Sequence, residues 1–215
     1  GNHRAMVIDT GPDPELIDRC LKQLGVREIP LLIITHGHAD HIAGWPGVTK
    51  GRKVGLTWYQ NVKRGVKAQL DSTKGKVDIE VLWPDSGSYD PNNSSIAVRI
   101  TTKDYSLFAG GDMEPLSQSL IASTMREVDI YKVSHHGSVY QDELFTNGLS
   151  PQIAMISVGA GNSYGHPAPA TLELLEATGA KVLRTDRDGA IAISARNHRL
   201  KVRTSRSKLT FLRWE

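Results

Sequence analysis

At 215 residues the chain is long enough to bury one large core, and its 39% hydrophobic and 23% charged residues are ordinary for a globular fold. No apolar run approaches the roughly 18 to 20 residues of a membrane-spanning helix, and no segment resembles a signal peptide. The single cysteine, Cys20, excludes an internal disulfide and a cysteine-rich zinc site, while a net charge of +3 permits a polyanionic substrate without demanding one. The chain opens on Met6-Val7-Ile8-Asp9, already a strand, and is expected to be excised from a larger protein. Asp13-Pro14-Glu15 then reads as a helix start, with a cap, a proline in the first turn and an acid near the positive end. Leu16, Ile17, Cys20, Leu21 and Leu24 follow at helical spacing up to Gly25, which places Cys20 on a buried helix face. Leu31 to Ile34 is a continuous apolar run, the pattern of a strand buried on both faces.

The alternation continues with a strand at 54–58, a helix at 61–70 and a strand at 77–83. Segments 95–101 and 105–109 form a hairpin around Thr102-Lys103-Asp104. A helix at 115–124, strands at 129–134 and 153–158, and a helix at 168–177 come next. Short strands at 181–184, 190–194, 200–204 and 209–212 close the chain, with a turn signal at Asp188-Gly189. Mixed strands with interspersed helices, and no linker-like stretch, read as α/β (α+β): helices packed outside two sheets in one domain, 1–215.

The chemistry concentrates in Thr35-His36-Gly37-His38-Ala39-Asp40-His41, where the buried strand ends. His36, His38 and Asp40 recur at every second residue, so an extended backbone points them to one side, while His41 breaks the period. Four metal-competent side chains in six residues can serve two adjacent ions. Five of the eight histidines fall in this motif and in His135-His136, which argues against chance. Asp112, after Gly110-Gly111 at the end of an apolar strand, is a further candidate ligand, with helix capping as its ordinary alternative. Either His135 or His136 can reach the same cleft, leaving the other to face substrate as a proton donor. Asn162, Tyr164 and His166 occupy a glycine-rich loop between a strand and a helix, suited to phosphate or simply to helix entry. Asp186 and Asp188 read as turn formers, and Trp45 and Trp83 as packing residues. Lys63, Arg64, Lys67, Lys74 and Lys76 form a basic stretch that can hold a nucleic-acid backbone without reading sequence.

The motif Thr-His-x-His-x-Asp-His after an apolar strand resembles the signature of the metallo-β-lactamase superfamily. Val7-Ile8-Asp9-Thr10-Gly11, Leu107 to Asp112, and Val133-Ser134-His135-His136-Gly137-Ser138 resemble its other motifs in the same order. The resemblance implies an αββα sandwich, here lacking N-terminal strand residues, with a dinuclear site between the sheets. It implies His36, His38, Asp40, His41, Asp112 and His135 as ligands, Asp112 as the bridge, and Asp9 as support for the metal loop. Asn92-Asn93-Ser94-Ser95, Ser134 to Ser138, Ser157-Val158-Gly159, Asn162 to Pro167 and Arg184-Thr185-Asp186 narrow the resemblance to the ComEC family of DNA-uptake competence proteins.

That narrower resemblance implies a metal-dependent nuclease acting on single- or double-stranded DNA during natural transformation. It places the chain as a soluble domain beside the membrane channel portion of a bacterial inner-membrane protein, on the extracytoplasmic side. Asp40, His136 and His166 are then the expected catalytic side chains, and Asn93, Ser138, Asn162 and Tyr164 the expected substrate contacts. Asn92-Asn93 stand where other branches of the superfamily carry a histidine, so the first ion lacks a nitrogen ligand or takes an amide oxygen of Asn92 or Asn93 in its place, with hairpin initiation as their ordinary alternative. Two divalent ions are expected, with manganese favoured over zinc. Other hydrolases of the fold (thioesterase, lactonase or β-lactamase) and a non-catalytic DNA-guiding domain are the alternatives.

Overall fold

The computed structural model describes residues 3–60, 62–87 and 89–206. Its first sheet is parallel, with β2 (Glu28–Ile33) between β1 (Val7–Ile8) and β3 (Lys53–Trp58). Helix α1 (Pro14–Gln23) follows β1, and two short helices, α2 (Ala39–Ile42) and α3 (Trp45–Thr49), link β2 to β3. The Asp13 carboxylate accepts from the backbone N–H groups of Glu15 and Leu16 at 2.7 and 3.2 Å and starts α1 as expected. Leu21 is buried under α1, but Leu16, Cys20 and Leu24 are exposed. The buried-face assignment of Cys20 is therefore corrected. The helix turns Asp18 inward instead, where Arg52 meets it at 3.0 Å.

The second sheet runs in the order β10-β9-β8-β7-β6-β5-β4. Its antiparallel half is β4 (Lys67–Ser72), β5 (Gly75–Trp83), β6 (Ala97–Thr101) and β7 (Ser106–Ala109). From β7 onward the sheet is parallel, through β8 (Ile130–Lys132), β9 (Ile153–Ile156) and β10 (Lys181–Arg184). Crossovers run through α4 (Pro115–Ala122), α5 (Glu143–Leu149) and α6 (Pro169–Ala177), as parallel pairing demands. A turn of helix, α7 (Thr185–Asp188), leads to a separate hairpin of β11 (Ile191–Arg196) and β12 (Arg199–Thr204). The expected strand at 209–212 lies outside the described residues.

Three apolar layers set the architecture. Leu31, Ile33 and Trp58 of the first sheet meet Ile79, Val81, Val98 and Ile100 of the second. Leu32 turns the other way, toward Leu21 of α1 and Val48 of α3. Phe108, Tyr131 and Ala154 carry the far face of the second sheet, against Ile121 of α4, Phe145 of α5 and Leu175 of α6. Helices thus cover both outer faces of two stacked sheets, the αββα sandwich expected. A register shift between Val81 and Trp83 lets Trp83 leave the face of Ile79 and Val81 and join the outer core.

The helix expected at 61–70 is absent from the described residues 62–70. Residues 67–72 are β4, paired with β5 from Lys67↔Glu80 to Ser72↔Gly75, and Gly65 and Val66 bond Val81 ahead of it. Lys67 pairs with Glu80 and Lys76 with Asp71, so the basic stretch is partly neutralised rather than one phosphate-binding face.

Candidate metal centre

The centre forms where strands of both sheets end. Asp9 follows β1, Thr35 to His41 follow β2, Asp112 follows β7, and His135-His136 follow β8. Asp9 adopts φ 57° and holds both arms of the histidine loop. Its Oδ1 accepts from the Thr35 backbone N–H at 2.8 Å, and its Oδ2 takes His41 Nδ1 at 2.8 Å. Thr10 Oγ1 adds a bond to the His41 carbonyl at 2.9 Å, and Ile96 N–H ties the Thr35 carbonyl to the second sheet at 2.8 Å. The alternation expected along the loop stops at His38, whose ψ of 147° is extended, because α2 begins at Ala39. A strand-like arm therefore carries His36 and His38, and a helical turn carries Asp40 and His41. That switch divides the four side chains into two groups.

Asp40, His41, Asp112 and His136 offer one ligand atom each, all within 4.8 Å of one another. His136 Nε2 lies 3.1 Å from Asp40 Oδ2 and 3.2 Å from His41 Nε2. Asp112 Oδ2 is 3.2 Å from His41 Nε2, 3.6 Å from His136 Nε2 and 3.9 Å from His36 Nε2. The His38 ring stands edge-on to His36 with centroids 4.7 Å apart. Asp112 Oδ2 thus reaches His36 as well as the histidines of the quartet. Gly111 makes this possible: its φ is +56°, and a Cβ there would meet Thr35 Cβ at 2.7 Å and Ser95 Cβ at 2.8 Å. Ser95 Oγ accepts from the Asp112 N–H at 3.0 Å and lies 3.4 Å from His36 Nδ1.

Charge is concentrated here. Burial, with the neighbouring His41, pushes His36 down to about 4, so it is neutral at pH 7. Burial also opposes a charge on His41, but Asp112 and Asp9 outweigh it and hold the ring up at about 9. The hydrogen bond from His136 leads the effects that bring Asp40 down to about 2. For Asp112, burial works against ionisation, yet His41, His136 and Lys132 together keep its carboxyl below the usual range.

The donor set fits divalent cations. His36 Nε2 and Asp112 Oδ1 are buried without a hydrogen-bond partner, a costly arrangement that a cation relieves. His41 commits Nδ1 to Asp9, and His136 commits Nδ1 to the Ser157 carbonyl at 2.6 Å, so each turns Nε2 inward. A sequence model of the family described as "Metallo-beta-lactamase superfamily" matches residues 1–144, which include every side chain of both groups. The chain belongs to the metallo-β-lactamase superfamily. Within it, the chain is 30% identical to ComE operon protein 3 of Bacillus subtilis (strain 168), an alignment covering 80% of this chain and 25% of that protein. It is also 30% identical to competence protein ComA of Neisseria gonorrhoeae, over 88% of this chain and 29% of the relative. Recombination protein 2 of Haemophilus influenzae is 25% identical, over 83% and 24%. The chain spans about a quarter of the length of these curated relatives. It is a metallo-β-lactamase-fold chain related to competence proteins, as the sequence motifs indicated.

The sequence left the roles of His135 and His136 open, and the structure places the two side chains differently. Both adopt left-handed backbone, with φ 48° and 52°, in a tight turn over Ser134–Gly137. His136, not His135, offers its ring nitrogen to the quartet. His135 Nε2 stays 3.9 Å from Asp112 Oδ2, and its Nδ1 faces Glu114 Oε1 at 3.1 Å. His166 lies beside it, with ring centroids 5.6 Å apart, and burial together with the charges of His135 and His136 lowers its pKa.

The expected substrate contacts fare differently. Asn93 is buried, and its Oδ1 accepts from Ser117 Oγ at 2.8 Å and from the N–H groups of Glu114 and Ser117, at the start of α4. Its amide serves the helix, which corrects its assignment to substrate. Ser138 is also buried, and its N–H closes the histidine turn on the His135 carbonyl at 2.7 Å, so it too is structural. Asn162 spends both ends of its amide on the His166 backbone, at 2.7 and 3.1 Å, and shapes the loop instead of contacting substrate. Tyr164 is 82% exposed and stacks on His166. Asp186 and Asp188 bond Arg184 and form the turn expected. Glu114, which also accepts from Asn92 Nδ2 at 3.1 Å, went unnoticed in the sequence. Its signal was a second carboxylate two residues beyond Asp112. The Ser157 carbonyl that orients His136 had no side-chain signal.

Proposed function

We propose that this chain is a metal-dependent phosphodiesterase that cuts DNA with little sequence preference. The observation that carries the reading is the pair of donor groups sharing Asp112: His36 and His38 on one side, Asp40, His41 and His136 on the other. Two divalent ions bound there would supply a nucleophilic water at neutral pH and offset charge on the phosphate oxygens. Asp40, half open to solvent at the quartet's edge, orients the attacking water. His135, its Nδ1 3.1 Å from Glu114 Oε1 and its ring outside the quartet, is placed to protonate the departing oxygen, with His166 beside it.

The His41 ring also lies beside His36, with centroids 4.1 Å apart, but its Nε2 belongs to the quartet, and the hairpin brings no further histidine to His36 and His38. The hairpin contributes Ser95, and its Asn93 is occupied. Such a nitrogen-poor site favours manganese over zinc. Relatedness to competence proteins supports DNA as substrate and a place in transformation. We propose that the chain works as one unit, 1–215, of a longer inner-membrane protein, on its extracytoplasmic side beside the channel portion. Among the described residues no helix is long and apolar enough to cross a membrane.

The test is to incubate purified protein with Mn²⁺ and either single- or double-stranded DNA, alongside nitrocefin and a thioester. Cleavage of DNA with neither alternative substrate turned over is the expected outcome. Intact DNA beside a hydrolysed thioester or β-lactam would overturn the reading.

A further inference from the structure

A cavity of about 510 Å³ opens directly beside His36 and His38, on the side of the centre away from the quartet. Its volume is that of a small-molecule site. Tyr59 and Tyr89 form two of its walls, Pro84 and Pro91 add ring surfaces, and Gln60 and Lys63 supply polar groups.

Both aromatic rings are held in place. Tyr59 packs edge-on against Trp45 with centroids 6.2 Å apart, and its hydroxyl accepts from Gln60 Nε2 at 2.9 Å. Tyr89 lies 4.9 Å from the buried Trp83, and its hydroxyl donates to Asp85 at 3.0 Å. Lys63 is exposed and lines the cavity, and like Arg64 and Lys74 it stands outside the lysine–carboxylate pairs of the β4–β5 hairpin. Flat apolar walls accept the face of an aromatic ring, and a cation alongside accepts a phosphate. A nucleotide presents both groups at once.

We propose that this cavity is the subsite for the nucleotide adjoining the scissile phosphate. Its base lies against the Tyr59 and Tyr89 walls, and Lys63 meets the flanking phosphate. The inference rests on the phosphodiesterase reading and goes further by naming where the strand lies: across His36 and His38. Ring faces read no base edges, so the subsite is expected to accept any base, with Gln60 the one amide among the described lining residues.

The test measures binding of the Mn²⁺-loaded protein to two single-stranded phosphorothioate oligonucleotides. They are identical except for one abasic position, and fluorescence anisotropy is read across a salt series. Wild-type protein is expected to bind the intact strand about tenfold more tightly than the abasic one. Tyr59→Ala should bind the two alike. Lys63→Ala, at an exposed position that leaves the fold intact, should weaken both and flatten the slope of log K against log salt by about 0.7, the value for one released phosphate contact on a single strand. Equal affinity of wild type for both strands, or a tenfold preference kept in both Tyr59→Ala and Tyr89→Leu, would overturn the subsite. Base-dependent binding lost in Tyr59→Ala by a protein that cuts no DNA would support the subsite while removing the nuclease reading.

Discussion

Asp9 shows how one side chain sets the centre's geometry without reaching a metal. It spans Thr35 and His41, the two ends of the loop, and fixes which nitrogen of His41 faces inward. Asp9→Ala is expected to weaken Mn²⁺ binding roughly 10- to 100-fold, the usual effect of losing a carboxylate behind a liganding histidine. Chelator competition measures it, and unchanged affinity would contradict the role. His41 also gives a pH signature. Its pKa stands near 9, above the ordinary 6.5, so in metal-free protein its ion pairs stabilise the fold fully below about pH 6.5 and are lost as pH rises through 9. The Tm of EDTA-treated protein should therefore fall between pH 6.5 and 9, and a flat Tm across that window would contradict the network. The candidate ligands were legible in sequence because histidines and aspartates at strand ends are conspicuous. Glu114 and the Ser157 carbonyl were hidden, since one is a common surface residue and the other is backbone.

At the scale of elements, tight turns aim the ligands. Gly111→Ala would force a left-handed alanine against Thr35 and Ser95, costing about 2–4 kcal/mol from backbone strain and overpacking together. Gly51 has a similar φ of +68° but nothing within 4 Å, so Gly51→Ala should cost only the strain, about 1–2 kcal/mol. Urea unfolding of the two variants separates these, and equal losses would show that Gly111 is not tightly packed. Asn93→Ala should cost about 1–3 kcal/mol by leaving buried donors at the start of α4 unpaired, and should loosen Glu114 behind His135. The elements read best in sequence were the uninterrupted apolar strands and the well-capped α1. Residues 62–70 misled because Val62, Val66 and Leu70 recur at helical spacing, whereas Gly65 turns the chain and β4 follows its hairpin partner β5. The short α5 was missed. Its seven residues include Thr146, Asn147 and Gly148, and its Asp142 cap bonding Phe145 N–H at 2.7 Å is a weak signal alone.

Across the whole molecule, two sheets that share a core bring Asp9 and the histidine loop of one against Asp112 and His136 of the other. The centre therefore also clamps the sandwich. Metal at 100 times its Kd should raise stability by about 2.7 kcal/mol per site, read as a Tm rise on adding Mn²⁺ that EDTA reverses. The αββα order was legible through family motifs more than through periodicity, because strand order is fixed by pairings distant in sequence. Which sheet each apolar face meets became visible only in three dimensions, as with Trp83 beyond its bulge. The most direct test of the account is DNA cleavage with Mn²⁺ by wild type, Asp40→Ala and His136→Ala, each checked for fold by circular dichroism. Wild type should cut DNA, and both variants should lose at least about a hundredfold in rate with folding intact. Equal cutting by all three, or none by the metal-loaded wild type, would contradict it.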